Sequence, residues 1–160
     1  NPDPIVFGIF SVFEILLAAV YDGIGARALE LAVATVQKRR SKQSGTTYSQ
    51  DPDIRWRIAD AALAHDAIAP QIQSLARDVD GLVDSLLSGV KVRSTETARK
   101  VVDDAIRVSG GSSYFASNEL SRLYRDVLAG IFHPSDDESA HATMAAALLG
   151  PVATPTDKPA

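Results

Sequence analysis

Two residues of this sequence, Glu14 and His133, have side chains that could transfer a proton. Glu14 interrupts the apolar run of residues 5–20, and His133 directly precedes Pro134 in a loop-like stretch. A carboxylate removed from water holds a proton more readily, and imidazoles titrate near neutral pH, so both are candidate acid–base groups. Each also has a structural interpretation. Glu14 could pair with a Lys or Arg outside this sequence, and His133 could be a loop residue ahead of a helix.

Several other chemistries have no residues to support them. The sequence contains no cysteine, which excludes disulfides, thiolate metal sites and cysteine nucleophiles. Its three histidines, His65, His133 and His141, have no metal-ligand spacing such as H-E-x-x-H, and no phosphate-binding glycine loop is present. His65 continues an apolar helical stripe, which favours a core histidine. The sequence therefore predicts no metal site.

The composition limits the class of protein. A length of 160 residues fits one domain, and 46% hydrophobic with 22% charged residues is typical of a globular chain. The net charge is −4, from 16 Lys and Arg against 20 Asp and Glu, and no basic stripe stands out. We therefore expect no nucleic-acid partner. No secretory signal is visible, which favours the cytoplasm, and the start at Asn1 suggests part of a longer protein.

Helical periodicity dominates the sequence, and strand alternation is nearly absent. This pattern predicts an all-α fold, an antiparallel up-and-down four-helix bundle with a short fifth helix, over residues 1–149. The tail of residues 150–160 is predicted to be disordered. The predicted helices cover residues 4–40, residues 51–86 with a kink at Pro70, residues 91–109, a fourth helix from Asn118, and a fifth from the capping box at Ser135.

The first predicted helix is apolar on every side over residues 5–20. A membrane span is the obvious alternative, but Glu14 lies in its middle, and Asp22 and Arg27 follow within two turns. We therefore predict no span. Because a helix that is apolar all round must be buried all round, we expect a further surface to cover it: another domain, a second subunit or a cofactor.

Five short motifs, in order, resemble the C-terminal helical domain of the acyl-CoA dehydrogenase superfamily. The resemblance covers about residues 12–149. The motifs are Arg40 with Gly45, the run Ile58-Ala59-Asp60, the run Thr95-Glu96-Thr97-Ala98, the run Arg107-Val108-Ser109-Gly110-Gly111, and the run Leu123-Tyr124-Arg125-Asp126.

This resemblance implies a flavoenzyme of fatty acid metabolism that binds FAD and forms a homo-oligomer, a dimer or a tetramer. Arg40 would reach the diphosphate of the neighbouring subunit's FAD, where a guanidinium suits phosphate oxygens. The cofactor contacts implied for the second loop are Arg107, Ser109, Gly110 and Gly111. Two ordinary interpretations remain open. Arg40 could complement the helix dipole, and the glycine pair could simply end a helix.

The resemblance also bears on catalysis. The family's usual glutamate after the Arg-Asp motif is replaced here by Pro134. Some members place this base on the first helix, where Glu14 is the matching residue. The implied reaction is FAD-dependent α,β-dehydrogenation of an acyl-CoA thioester, and the isolated domain is expected to be inactive.

Two alternatives to dehydrogenation stay open. Reduced-flavin monooxygenases of the same fold carry a histidine at the position of His133, and one of these could use FMN. The domain could also be non-catalytic and serve oligomerisation alone.

Overall fold

The structure is a computed structural model that describes residues 3–78 and 84–152. Within these ranges the regular structure is helical, apart from one isolated bridge between Arg40 and Thr47. Short 3-10 turns follow α1, α4 and α5. The helices are α1 (Pro4–Lys38), α2 (Pro52–Asp66), α3 (Ile68–Arg77), α4 (Asp84–Ser109), α5 (Glu119–Leu128) and α6 (Asp137–Leu149).

Helix starts follow the caps that the sequence indicates. The side chain of Asp3 accepts hydrogen bonds from the first turn of α1, and Asp51 does the same for α2, with a proline next in each case. Asn118 caps α5, as predicted. The fifth predicted helix begins one residue later than expected, because Asp136, and not Ser135, supplies the capping oxygen of α6.

The predicted kink at Pro70 is wrong in position. The helical run breaks at Ala67, between α2 and α3, and Pro70 lies in the first turn of α3. Proline has no N–H, and the first turn of a helix needs no intrahelical donor, so starting a new helix there avoids a lost hydrogen bond. Residues 79–83 of the predicted second helix lie outside the described residues, and its last residues, 84–86, belong to α4.

Two other helix boundaries also differ. Helix α1 ends at Lys38 and not at residue 40, since Arg39 is already extended. Helix α4 begins by Asp84, which is earlier than the predicted start at Lys91, so Lys91 lies inside a helix. The predicted disordered tail lies mostly outside the described residues.

Helices α1 and α4 form the centre of the bundle and run in the same direction. Ser94 on α4 donates to the Ala18 carbonyl, and Arg39, just beyond α1, reaches the Ser109 carbonyl at the far end of α4. The α2–α3 unit runs the opposite way. This is the predicted up-and-down arrangement. Small residues line the central contact: Ala18, Gly25, Ala28, Ala32, Ala98 and Ala105.

The amino-terminal half of α1 leaves much apolar surface uncovered. Within the described residues, α1 is long and apolar enough to cross a bilayer, but the core helix of a soluble protein passes the same test. The expected covering surface therefore stays a prediction. The exposed apolar side chains are Ile5, Val6, Ile9, Val12, Phe13, Leu16 and Val20.

Candidate functional site

A buried lysine holds segment 130–135, which lies between α5 and α6. Lys91 on α4 is 1% exposed. Its Nζ donates hydrogen bonds to the carbonyl oxygens of Gly130, His133 and Ser135 at 2.9, 2.8 and 2.6 Å. An ammonium group has three N–H donors, so this contact satisfies all of them.

Glu14 holds the same segment from α1. Its side chain is completely buried, and Oε1 accepts a hydrogen bond from the Ser135 N–H at 2.6 Å. Burial lowers the pKa of Lys91, and the negative charge of Glu14 opposes that shift. Glu14 therefore lies beneath segment 130–135, with Oε1 bound to the backbone of that segment. Its role as a base stays a prediction.

His133 lies on the outer side of the segment and is half-buried. Its Nδ1 is 2.8 Å from the hydroxyl oxygen of Tyr21, a residue of α1 that is 2% exposed. The two rings are 5.9 Å apart and tilted by 54°. The structure thus brings Glu14 against the segment that contains His133, the other predicted catalytic residue. His133 is nearer to solvent than Glu14.

The absence of a side chain at Gly130 makes this packing possible. A Cβ at Gly130 would lie 3.0 Å from Cζ of Tyr21 and closer still to the Thr95 methyl group. Gly130 is itself buried, and its carbonyl is one of the three that Lys91 binds. A glycine here lets segment 130–135 approach α1 and α4 closely.

Sequence reasoning did not single out Lys91 or Tyr21. The signal for Lys91 was nevertheless available, because it continues the inward series Leu87, Ser94 and Ala98 of α4 at alternating steps of four and three residues. A lysine at a core position is rarely buried without partners. Tyr21 gave no such signal, since an aromatic residue on an apolar helix is ordinary core material.

A second site is an open groove at the glycine pair that follows α4. The groove encloses about 830 Å³ between α4 and α5. Its walls combine exposed aromatic rings with guanidinium groups, and Tyr114 is 86% exposed. We call it the aromatic groove. The residues that define it are Arg107, Gly110, Gly111, Tyr114, Phe115 and Arg125.

Three of the four residues predicted for cofactor contacts in this loop line the groove. Gly110 has φ +75°, a conformation that favours glycine, and a Cβ built at Gly111 would meet no atom within 4 Å. Arg107 is exposed and donates to Asp103 at 2.6 Å. Ser109 differs, because it is 1% exposed and does not line the groove.

Of the two arginines that follow α1, Arg39 and not Arg40 contacts the residue that precedes the glycine pair. Arg39 donates from Nη1 to the Ser109 carbonyl and stacks its guanidinium 4.9 Å from the centre of the Tyr48 ring. Arg40 is exposed and donates to the nearby Gly45 carbonyl at 2.9 Å. Adjacent residues at a helix end point in different directions, so the sequence alone could not say which arginine faces the loop.

Comparison with known proteins identifies the family of this chain. The family profile of the acyl-CoA dehydrogenase C-terminal domain matches residues 7–149. Cyclohex-1-ene-1-carbonyl-CoA dehydrogenase of Geobacter metallireducens is 29% identical over 88% of this chain and 37% of its own length. Amino sugar nitrososynthase DnmZ of Streptomyces peucetius is 30% identical over 78% of this chain and 32% of its own length.

Solved structures show the same fold. An acyl-CoA dehydrogenase from Geobacillus kaustophilus superposes with a TM-score of 0.82 at 19% identity, covering 87% of this chain and 37% of that one. The chain thus spans about a third of the length of these relatives. With 143 consecutive positions matched by one family, residues 7–149, the chain belongs to the acyl-CoA dehydrogenase C-terminal domain family.

Proposed function

We propose that this chain is the C-terminal domain of an FAD-dependent oxidoreductase that dehydrogenates the α,β-bond of an acyl-CoA thioester. Membership of the family supports this reaction class. Among the relatives, cyclohex-1-ene-1-carbonyl-CoA dehydrogenase and 3-sulfinopropanoyl-CoA desulfinase are both named for CoA thioesters. The chemistry of the whole enzyme also requires the parts of the relatives that this chain does not span.

The aromatic groove is the observation that carries the cofactor part of the proposal. FAD combines an adenine ring with an anionic diphosphate, and the groove combines exposed aromatic rings with the guanidinium groups of Arg107 and Arg125. The open space at Gly111 lets a ligand approach the backbone. The residues present therefore fit this group. Arg107, Gly110 and Gly111 would hold it, and bound FAD would supply the acceptor for the β-hydride.

Within this proposal, Glu14 takes the α-proton of the thioester. Glu14 is the residue that the resemblance to the family assigns as the base, and its side chain is completely buried from water. Lys91 attaches segment 130–135 to α4 through its bonds to the carbonyl oxygens of Gly130 and His133.

The exposed apolar face of α1 supports the oligomeric part of the proposal. Its large aliphatic side chains form an uncovered surface of the kind that another domain or subunit covers. We propose a homo-oligomer, with a tetramer as the expected size, and a cytoplasmic location. Sedimentation velocity of the full-length protein would test the size, and a monomer at micromolar concentration would contradict it.

The decisive experiment uses the full-length flavoprotein that contains this chain. An acyl-CoA thioester added without oxygen should bleach the oxidised flavin absorbance and yield the enoyl-CoA product. A free carboxylic acid of the same chain length serves as the control ligand. A flavin that stays oxidised across short-, medium- and aryl-acyl thioesters would contradict dehydrogenation.

A second candidate function is oxygenation with reduced flavin, FMN or FAD. It is favoured by the half-buried His133 with its Tyr21 contact and by the similarity to amino sugar nitrososynthases. In that case reduced flavin and oxygen should give an oxygenated product, with no anaerobic bleaching by acyl-CoA. Inactivity in both assays would favour a domain that serves oligomerisation alone.

A further inference from the structure

One ring nitrogen of His133 is engaged inside the protein. Nδ1 faces the Tyr21 hydroxyl at 2.8 Å, and Tyr21 is 2% exposed while His133 is half-buried. Among the described contacts, the hydrogen bond of the His133 ring uses Nδ1 and not Nε2. If the Tyr21 hydroxyl donates to Nδ1, a neutral His133 carries its proton on Nε2, which is then a donor. If Nδ1 donates to the hydroxyl, Nε2 is an acceptor.

The chemistry of the two groups sets the direction of this hydrogen bond. Burial raises the pKa of Tyr21, so its hydroxyl keeps its proton at neutral pH. A phenol O–H is a better donor than an imidazole N–H, and an imidazole lone pair is a better acceptor than a phenol oxygen. The Tyr21 hydroxyl therefore donates to Nδ1, and a neutral His133 carries its own proton on Nε2.

The backbone of His133 is fixed as well. Its carbonyl accepts from Lys91 at 2.8 Å, and the Ser135 N–H two residues later is held by Glu14 at 2.6 Å. Both anchoring side chains are almost completely buried. These contacts fix the backbone that carries the His133 ring, so the ring turns only about its own side-chain bonds. The Tyr21 contact selects one of the orientations that remain.

We propose that Tyr21 is a positioning residue that holds neutral His133 in the Nε2–H form. Nε2 of a neutral His133 is then an N–H donor and not a basic nitrogen. This inference depends on the contacts of the side chains and not on either proposed reaction. The test of the tautomer can therefore fail while the proposed function stands, and the proposed function can fail while the tautomer is as proposed.

The test is solid-state nitrogen NMR of the full-length protein that contains this chain, labelled with 15N at histidine, at a pH alkaline enough for neutral imidazoles. The wild-type His133 signal, identified by its loss in His133→Gln, should show an unprotonated Nδ1 and a protonated Nε2. A hydrogen bond of ordinary net strength corresponds to roughly a two- to tenfold population ratio. Tyr21→Phe should lower the excess of the Nε2–H form by that factor.

Controls separate positioning from general structure. Tyr124→Phe removes a hydroxyl on the exposed side of α5 and should leave the His133 signals unchanged. His65 and His141 act as internal references in every sample. A wild-type His133 protonated on Nδ1 would overturn the proposal even if Tyr21→Phe did not fold. An unchanged tautomer ratio in a folded Tyr21→Phe variant would overturn it as well.

Discussion

Glu14 and Lys91 bind the same residue from two helices: Oε1 of Glu14 accepts the Ser135 N–H, and Nζ of Lys91 donates to the Ser135 carbonyl. Both side chains are at most 1% exposed. Buried groups of opposite charge thus attach segment 130–135 to α1 and to α4 together. This contact places the two predicted catalytic residues, Glu14 and His133, in one structural unit.

Replacing Lys91 by methionine should destabilise the bundle strongly. The variant keeps the length of the side chain but removes the donor to three buried carbonyls and the positive charge that Lys91 sets near Glu14. Breaking a buried charged contact on one side costs about 3–5 kcal/mol. Urea unfolding followed by circular dichroism gives the free energy of unfolding.

Arg93→Met is the matched control, because Arg93 is an exposed cation on the same helix. It should cost under about 1 kcal/mol. Adding Glu14→Gln to Lys91→Met should cost less than the sum of the single changes, since the two charges influence each other. Additive losses would contradict the coupling of the two residues.

Glu14→Gln and His133→Ala distinguish the two candidate reactions. The glutamine side chain of the first variant retains an oxygen for the Ser135 N–H but cannot take a proton. A general base contributes roughly 10²–10⁴-fold, so we expect Glu14→Gln to slow anaerobic bleaching by acyl-CoA by that factor. His133→Ala should be mild in the same assay. Stopped-flow absorbance of the full-length flavoprotein measures both.

Unchanged activity in Glu14→Gln would give Glu14 a different role. Full bleaching activity in Glu14→Gln would show that Glu14 is a structural carboxylate, as its complete burial also allows. If oxygen consumption then became uncoupled from product formation in His133→Ala, the monooxygenase assignment would replace dehydrogenation. Flavin content and melting temperature should be checked in each variant, so that lost activity is not confused with lost cofactor.

Arg39→Ala and Arg40→Ala should have different effects although the residues are neighbours. Arg40 is exposed, so its removal should leave stability almost unchanged but weaken FAD retention if it contacts a diphosphate. A hydrogen bond to a charged group is worth about 1.5–3 kcal/mol, or roughly tenfold to a hundredfold in affinity. Arg39→Ala should lower the melting temperature, because it removes the contacts to Ser109 and Tyr48.

Equilibrium dialysis of the full-length protein against flavin-free buffer measures FAD retention for both variants. Unchanged flavin occupancy in Arg40→Ala would remove Arg40 from the cofactor site. Arg122→Ala is the control, because Arg122 is an exposed arginine on α5 that does not line the aromatic groove.

Gly130→Ala should destabilise the protein, whereas Gly23→Ala should not. An added methyl at Gly130 would press on Tyr21 and Thr95, and overpacking of this kind costs roughly 1–3 kcal/mol. A Cβ at Gly23 would meet nothing within 4 Å. Because alanine favours a helix over glycine by about 1 kcal/mol, Gly23→Ala in α1 should be stabilising. Thermal unfolding of both variants checks the pair, and equal melting temperatures would contradict the close packing at Gly130.

The sequence by itself determined the helical class, most of the helix starts and the family. These features depend on local signals, such as the aspartate caps of α1 and α2 and the regular spacing of apolar residues, which act over a few residues of chain. It also indicated Glu14 and His133 as chemically unusual. The kink expected at Pro70 was misplaced because a proline fits equally well into the first turn of a new helix.

Only the tertiary structure decided what surrounds those residues. Glu14, Lys91 and Ser135 are far apart in sequence, and their hydrogen bonds form because α1, α4 and segment 130–135 pack together. The choice of Arg39 over Arg40 at the Ser109 carbonyl likewise depends on how α1 ends against α4. Side-chain periodicity states which face a residue occupies, but the partner across a packed interface is set by the approach of whole helices, which no local pattern encodes.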